Sequence, residues 1–204
     1  MDRVTFLVLV VIGILLGTGA TIFLLSEPVT VGSATYQYGN GETVFNVTKV
    51  NDIETVIPIS IGAEEVPYIL TFRSDPLSLE DIPVEGTLHT RIFNDEKIYV
   101  TIHPEANLTS KTTVAALEIE KIIDNDYLYG VPVFSAMTLP NDDGYPVVSC
   151  GDGTDTMTVI FLTLGSETIV FTDGYCIVIV GTDEDELIRA TDRFLLTLLG
   201  IMQA

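Results

Sequence analysis

Cys150 and Cys176 are the only thiols in the chain, and His89 and His103 are its only histidines. A structural zinc site needs Cys and His at short, paired spacings, and these four side chains are scattered. The sequence holds no HExxH, no GxSxG and no GxxxxGK[ST] pattern, so it lacks the usual marks of a zinc hydrolase, a serine hydrolase and a phosphate-binding loop. A nucleophilic Ser or Cys would need a histidine beside it, and the spacing supplies none. His103 ends an apolar strand ahead of Pro104 and reads as a turn residue. The 29 Asp and Glu residues provide carboxylates in number, yet none stands out as the pair that glycoside hydrolysis requires. The expectation is a non-enzymatic protein with no catalytic residue and no cofactor.

Three acidic turns have oxygen donors close together: Asp124 to Asp126, Asn141 to Gly144, and Asp152 to Asp155. Calcium takes six to eight oxygens, so Asp124, Asp126, Asp142, Asp143, Asp152 and Asp155 are its candidate ligands. None of the three turns has the twelve-residue spacing of an EF-hand. Asp, Asn and Gly are also ordinary turn formers, and solvated turns explain all three. Asp183 to Glu186 is a fourth acidic run, and capping of the last helix accounts for it.

The two cysteines are expected to pair. Cys150 follows a short strand and Cys176 opens another, and strand ends at one sheet edge lie within disulfide reach. Two buried free thiols are the alternative. Asn46 and Asn107 each begin an Asn-X-Thr sequon and are candidate glycosylation sites.

The longest apolar run, Thr5 to Leu25, contains no charge. As a helix its 21 residues would span roughly 32 Å, enough to cross a bilayer core. Residues 1–26 are therefore expected to form a transmembrane anchor, with a cleaved signal peptide ending near Ala20 as the rival. Gly13, Gly17 and Thr21 recur every fourth residue, which puts a small-residue packing face on that helix. Residues 27–33 read as a tether. The chain carries 9 Lys and Arg against the 29 acids, a formal charge of −20. So acidic a surface argues against nucleic acid as a partner.

The remainder divides by rhythm. Residues 34–94 are β-rich, with Gly39-Asn40-Gly41 as a hairpin signal. Pro58 should push its strand to a sheet edge. Residues 95–204 alternate strands with two helices. Strand Ile98–Ile102, helix Ser110–Ile123 and strand Val131–Met137 suggest a parallel crossover. Asp173-Gly174 marks a tight hairpin, and the last helix, capped by Thr182, buries Leu187, Thr191, Phe194, Leu195 and Leu198. The expected fold class is α+β or mixed α/β: an N-terminal transmembrane helix, a β-rich segment, then a mixed sheet with two packed helices.

Asp152 to Asp155 after Cys150, and the stretch Gly174 to Arg193, resemble uncharacterised archaeal membrane-anchored surface proteins. Their strand, acidic helix cap and closing amphipathic helix are also similar to a unit in S-layer-type proteins. The resemblance covers residues 95–202 and implies a cell-surface location, with no activity to carry over. The sequence thus predicts a single-pass protein of the cell membrane with its C-terminal domain outside the cytoplasm. Its partners would be the membrane and other envelope proteins, or copies of itself in a filament or membrane complex.

Overall fold

The computed structural model describes residues 33–61, 66–88, 92–106 and 108–204. Ser33–Ala204 form one compact unit. Its first four strands are β1 (Ala34–Gly39), β2 (Val44–Asn51), β3 (Glu54–Ile59) and β4 (Tyr68–Phe72). They pair in chain order as an antiparallel meander. The hairpin signal between β1 and β2 is realised. Gly41 takes a φ of 92°, and Asn40 Oδ1 accepts the Glu42 and Thr43 amides at 2.9 and 2.8 Å.

Pro58 does not lie on an edge strand, because β3 runs between β2 and β4. The proline is tolerated because β2 pairs with β3 only from Glu54 to Val56. At Pro58 the strand has β4 alone as neighbour, so no ladder bond to β2 is lost there.

The large sheet has the order β5-β9-β10-β8-β6-β7. These strands are β5 (Val84–Glu85), β6 (Lys97–Ile102), β7 (Val133–Met137), β8 (Met157–Leu164), β9 (Ile169–Asp173) and β10 (Cys176–Gly181). All neighbours run parallel except the β9–β10 hairpin. Gly174 makes that turn with a left-handed φ of 56°. β6 and β7 are parallel neighbours joined through helix α1 (Ser110–Ile123), as the crossover reading expects. Leu88 and Ile92 are buried without belonging to a strand.

Helix α2 (Glu184–Leu198) starts at Asp183, one residue after the expected cap. Asp183 Oδ1 accepts the Asp185 and Glu186 amides, both at 2.9 Å. Its expected apolar stripe is buried, and so is every other residue from Ala190 to Leu198. The reason is a layer on each side. Ile160, Leu162, Ile177 and Ile179 of the large sheet share one core with α1 and α2, and so do Val47, Ile57, Leu70 and Phe72 of the small sheet. The helices are the filling between two sheets.

The expected fold class is corrected accordingly. The described residues make a mixed α+β fold of two sheets and two helices, and none of their helices is long and apolar enough to cross a membrane. At 14 and 15 residues, α1 and α2 reach only about 21–23 Å. The anchor expectation and its face of Gly13, Gly17 and Thr21 fall on residues 1–32, outside the described residues.

Candidate functional site

The helices cover one face of the large sheet, and its other face is crossed by a strap, residues 146–153. Parallel strands usually need cover on both sides. β10 reads CIVIVG and is buried at all six positions, so its two faces both need partners. The strap begins beside β7, where the Met137 amide donates to Pro146 O and the Val148 amide to Met137 O, both at 2.9 Å. Thr101 Oγ1 then donates to Val148 O at 2.7 Å. The short strand expected ahead of Cys150 is reduced to one parallel bridge, Met137 to Val147, because the chain next tightens into a 3-10 turn at Cys150–Asp152.

Cys150 and Cys176 are disulfide-bonded, with 5.0 Å between their Cα atoms. The bond ties the strap to the start of β10. Val148, Val159, Cys176, Val178 and Val180 pack together beneath it, apart from the main core. Ser149 and Asp152 close the turn on themselves: the Ser149 amide and hydroxyl both donate to Asp152 Oδ2, at 2.7 and 2.8 Å. Those two bonds hold the Asp152 carboxyl below the usual carboxylate range.

Past the strap lies an open cleft of about 480 Å³, whose lining includes Gly86, Thr154, Asp155, Thr158, Thr172 and Tyr175. Close packing sets its walls. A Cβ on Gly153 would come within 2.7 Å of Tyr175 Cβ and 2.8 Å of its carbonyl oxygen. Around the strap, apolar groups remain in solvent: Phe134 is 48% exposed, Val147 51% and Tyr175 46%. The Phe134 ring lies 5.8 Å from that of Tyr99, over which Lys97 Nζ sits at 5.5 Å.

The six calcium candidates are not brought together. Asp124 is the C-cap of α1, its amide donating to Glu120 O at 2.9 Å. Asp126 lies in the turn that follows, and Asp142 and Asp143 are exposed in a distant turn. Asp152 is engaged with Ser149, while Asp155 lines the cleft. Among the described residues, no three His, Cys, Asp or Glu side chains are grouped so as to hold a metal ion. His103 is a turn residue, its Nδ1 accepting the Glu105 amide at 3.1 Å; His89 lies outside the described residues. Asn46 is exposed on β2, on the face opposite buried Val47, and Asn107 lies outside the described residues.

Sequence reasoning missed three polar residues of α2. Glu184 caps the other helix, accepting the Thr109 amide and hydroxyl at 2.7 and 2.6 Å and the Thr112 hydroxyl at 2.7 Å. Arg193 is buried and forms no ion pair among the described residues, donating instead to Ile82 O, Thr197 Oγ1 and Gln203 O at 3.0, 2.9 and 2.7 Å. Asp192 is fully buried. A period of 3.6 marks one buried stripe, and Asp192 and Arg193 are buried because a second sheet covers the opposite side.

No family model, curated protein or solved structure matches this chain. The resemblance to surface proteins rests on the residues quoted for it alone.

Proposed function

We propose that this chain is a non-enzymatic surface protein whose α+β domain lies outside the cytoplasm and makes contacts with other envelope proteins. The observation that carries the reading is the Cys150–Cys176 disulfide. Disulfides persist in oxidising compartments and are rare in the cytosol. The uncharged run Thr5 to Leu25 supplies a signal for delivery to the membrane. The exposed Phe134, Val147 and Tyr175 beside the strap offer the apolar anchors that protein interfaces favour.

Two measurements test this. Protease added to intact cells should digest the domain, and alkylation of denatured, unreduced protein should find no free thiol. Full protection from the protease, or two reactive thiols per chain in fresh material, overturns the location. For the contact itself, crosslinking in native membranes should lose its products when Phe134 and Val147 are both changed to Asp. An unchanged crosslinking pattern overturns the assignment of that face. Products made only of this chain would identify copies of itself as the partner.

A further inference from the structure

Asp192 joins two layers of the fold. It projects from α2, has no exposed surface, and accepts the Ser74 amide on Oδ2 at 2.7 Å. Ser74 lies in the turn by which the chain leaves the last strand of the small sheet. The bond therefore ties that turn to the central helix across 118 residues of sequence. Asp192 Oδ1 is also buried and has no hydrogen-bond partner. A charged carboxylate left so is costly, whereas its neutral acid is much less so.

Among the described residues, no cation pairs with it directly. From α1, Glu118 and Lys121 face the site with opposite signs, and Lys121 is held by Glu118 and by Thr71 O. From the turn, Arg73 has Glu118 Oε1 at 3.6 Å, and its buried Nε makes no hydrogen bond. Asp75, the next acid along the turn, is taken by Lys49 at 3.7 Å and by the Tyr36 hydroxyl at 3.0 Å. On α2, Arg189 pairs with Glu186 and Asp81, and Arg193 binds carbonyl and hydroxyl oxygens.

We infer that Asp192 is a proton-controlled latch: the neutral acid holds the Ser74 turn against α2, and loss of the proton loosens that turn. Burial supports this by pushing the Asp192 carboxyl up to about 7, against the pull of the Ser74 amide. The sign follows from which state holds the proton. Between about pH 4 and 7 the folded chain keeps a proton that the unfolded chain has given up, so stability falls as pH rises through that window. The turn also forms a wall of a 400 Å³ groove lined by Lys49, Arg73, Ser74, Asp75 and Arg189 among others. Deprotonation acts on that groove.

Amide hydrogen exchange on the full chain tests the latch, with exchange times corrected for the intrinsic effect of pH. Protection of Ser74 and its neighbours, measured relative to β10, should drop at least about tenfold between about pH 5 and pH 8. In Asp192→Asn that drop should vanish, because the amide carries no titrating proton. Protection that is flat with pH in the unaltered chain, or that falls equally in Asp192→Asn, overturns the proposal. Should the variant fail to fold, the Ser74 amide resonance of the unaltered chain decides. A titration midpoint near pH 7 supports the latch, and a shift that is constant from about pH 5 to pH 8 refutes it.

Discussion

Glu184, in the first turn of α2, lends its carboxylate to Thr109, the residue that caps α1. One side chain thereby satisfies free amides at the start of a helix 74 positions earlier, since the Thr112 amide also donates to it at 3.1 Å. Lys111 adds a tie between the same two helix starts, its Nζ meeting Asp185 at 2.7 Å. The Thr109 and Thr112 hydrogen bonds draw the Glu184 carboxyl down to about 2. A depressed carboxylate stabilises the fold above its ordinary range. That contribution is lost as pH falls from about 4.5 towards 2. Glu184→Ala should cost about 1 kcal/mol at neutral pH, the scale of a lost helix cap. The difference from the unaltered chain should shrink in acid. Urea midpoints at several pH values measure both, and a difference that is constant into acid would show that the carboxylate's charge is not what matters.

Arg193 carries a different kind of load. Its guanidinium gathers Ile82 O from the loop before β5, Thr197 one turn onward, and Gln203 O from the C-terminal end. Arg193→Met keeps most of the apolar stem but leaves these acceptors without their donor. The expected loss is about 2–4 kcal/mol, from several buried hydrogen bonds to a charged group. Arg193→Lys should recover only part of it, because one ammonium cannot reproduce the planar fork. Equilibrium unfolding of both variants checks the order. A lysine variant as stable as the arginine chain would mean that charge alone is needed there.

Much of this fold is written locally. Asn40 and Gly41 specify the first hairpin, Asp173 and Gly174 the last, and the apolar spacing of α1 marks its buried side. The paired cysteines were also legible, since two thiols on strand-like segments have one partner each. What the sequence hid depends on layers that meet only in three dimensions. Pro58 reads as an edge residue because its missing amide is local, whereas the short register of β2 on β3 is not. Asp192 reads as part of a solvated helix face, and only the small sheet packed over α2 makes it buried. Glu184 looks like the cap of its own helix, and its real recipients, Thr109 and Thr112, belong to the other one.

Gly181 sits at a close approach between sheet and helix. It ends β10, and a Cβ there would meet the Leu187 amide nitrogen at 2.2 Å and Asp183 O at 2.5 Å. Both are backbone atoms, so no side chain can swing aside to relieve the clash. Gly181→Ala should push the start of α2 off the sheet, at a cost of about 1–3 kcal/mol or more. Gly144→Ala tests whether the close approach is the cause, since a Cβ there meets nothing within 4 Å. Its left-handed φ of 76° limits the comparison to a backbone cost of about 1 kcal/mol. Thermal unfolding of the two variants ranks them, and a Gly181→Ala chain at least as stable as Gly144→Ala would contradict the packing argument.

The disulfide joins Cys150 of the strap to Cys176 of β10, 26 positions apart in sequence. Removing the bond should lower stability by about 3 kcal/mol on the loop-entropy account, in which the crosslink restricts the unfolded chain. The local effect should be larger than the global one. Without the bond, the strap keeps Val148 O on Thr101 and the Met137 amide on Pro146 O, but nothing ties Cys150 to β10. Val159 and Val178 would then be exposed to water on the face that the helices do not cover. In Cys150→Ser/Cys176→Ser, amides at the start of β10 should exchange faster than those of β6, whose helix-side packing is untouched. Binding of a hydrophobic dye should rise with it under native conditions. Equal protection of β6 and β10, with no added dye binding, would mean that the strap stays in place on its hydrogen bonds alone.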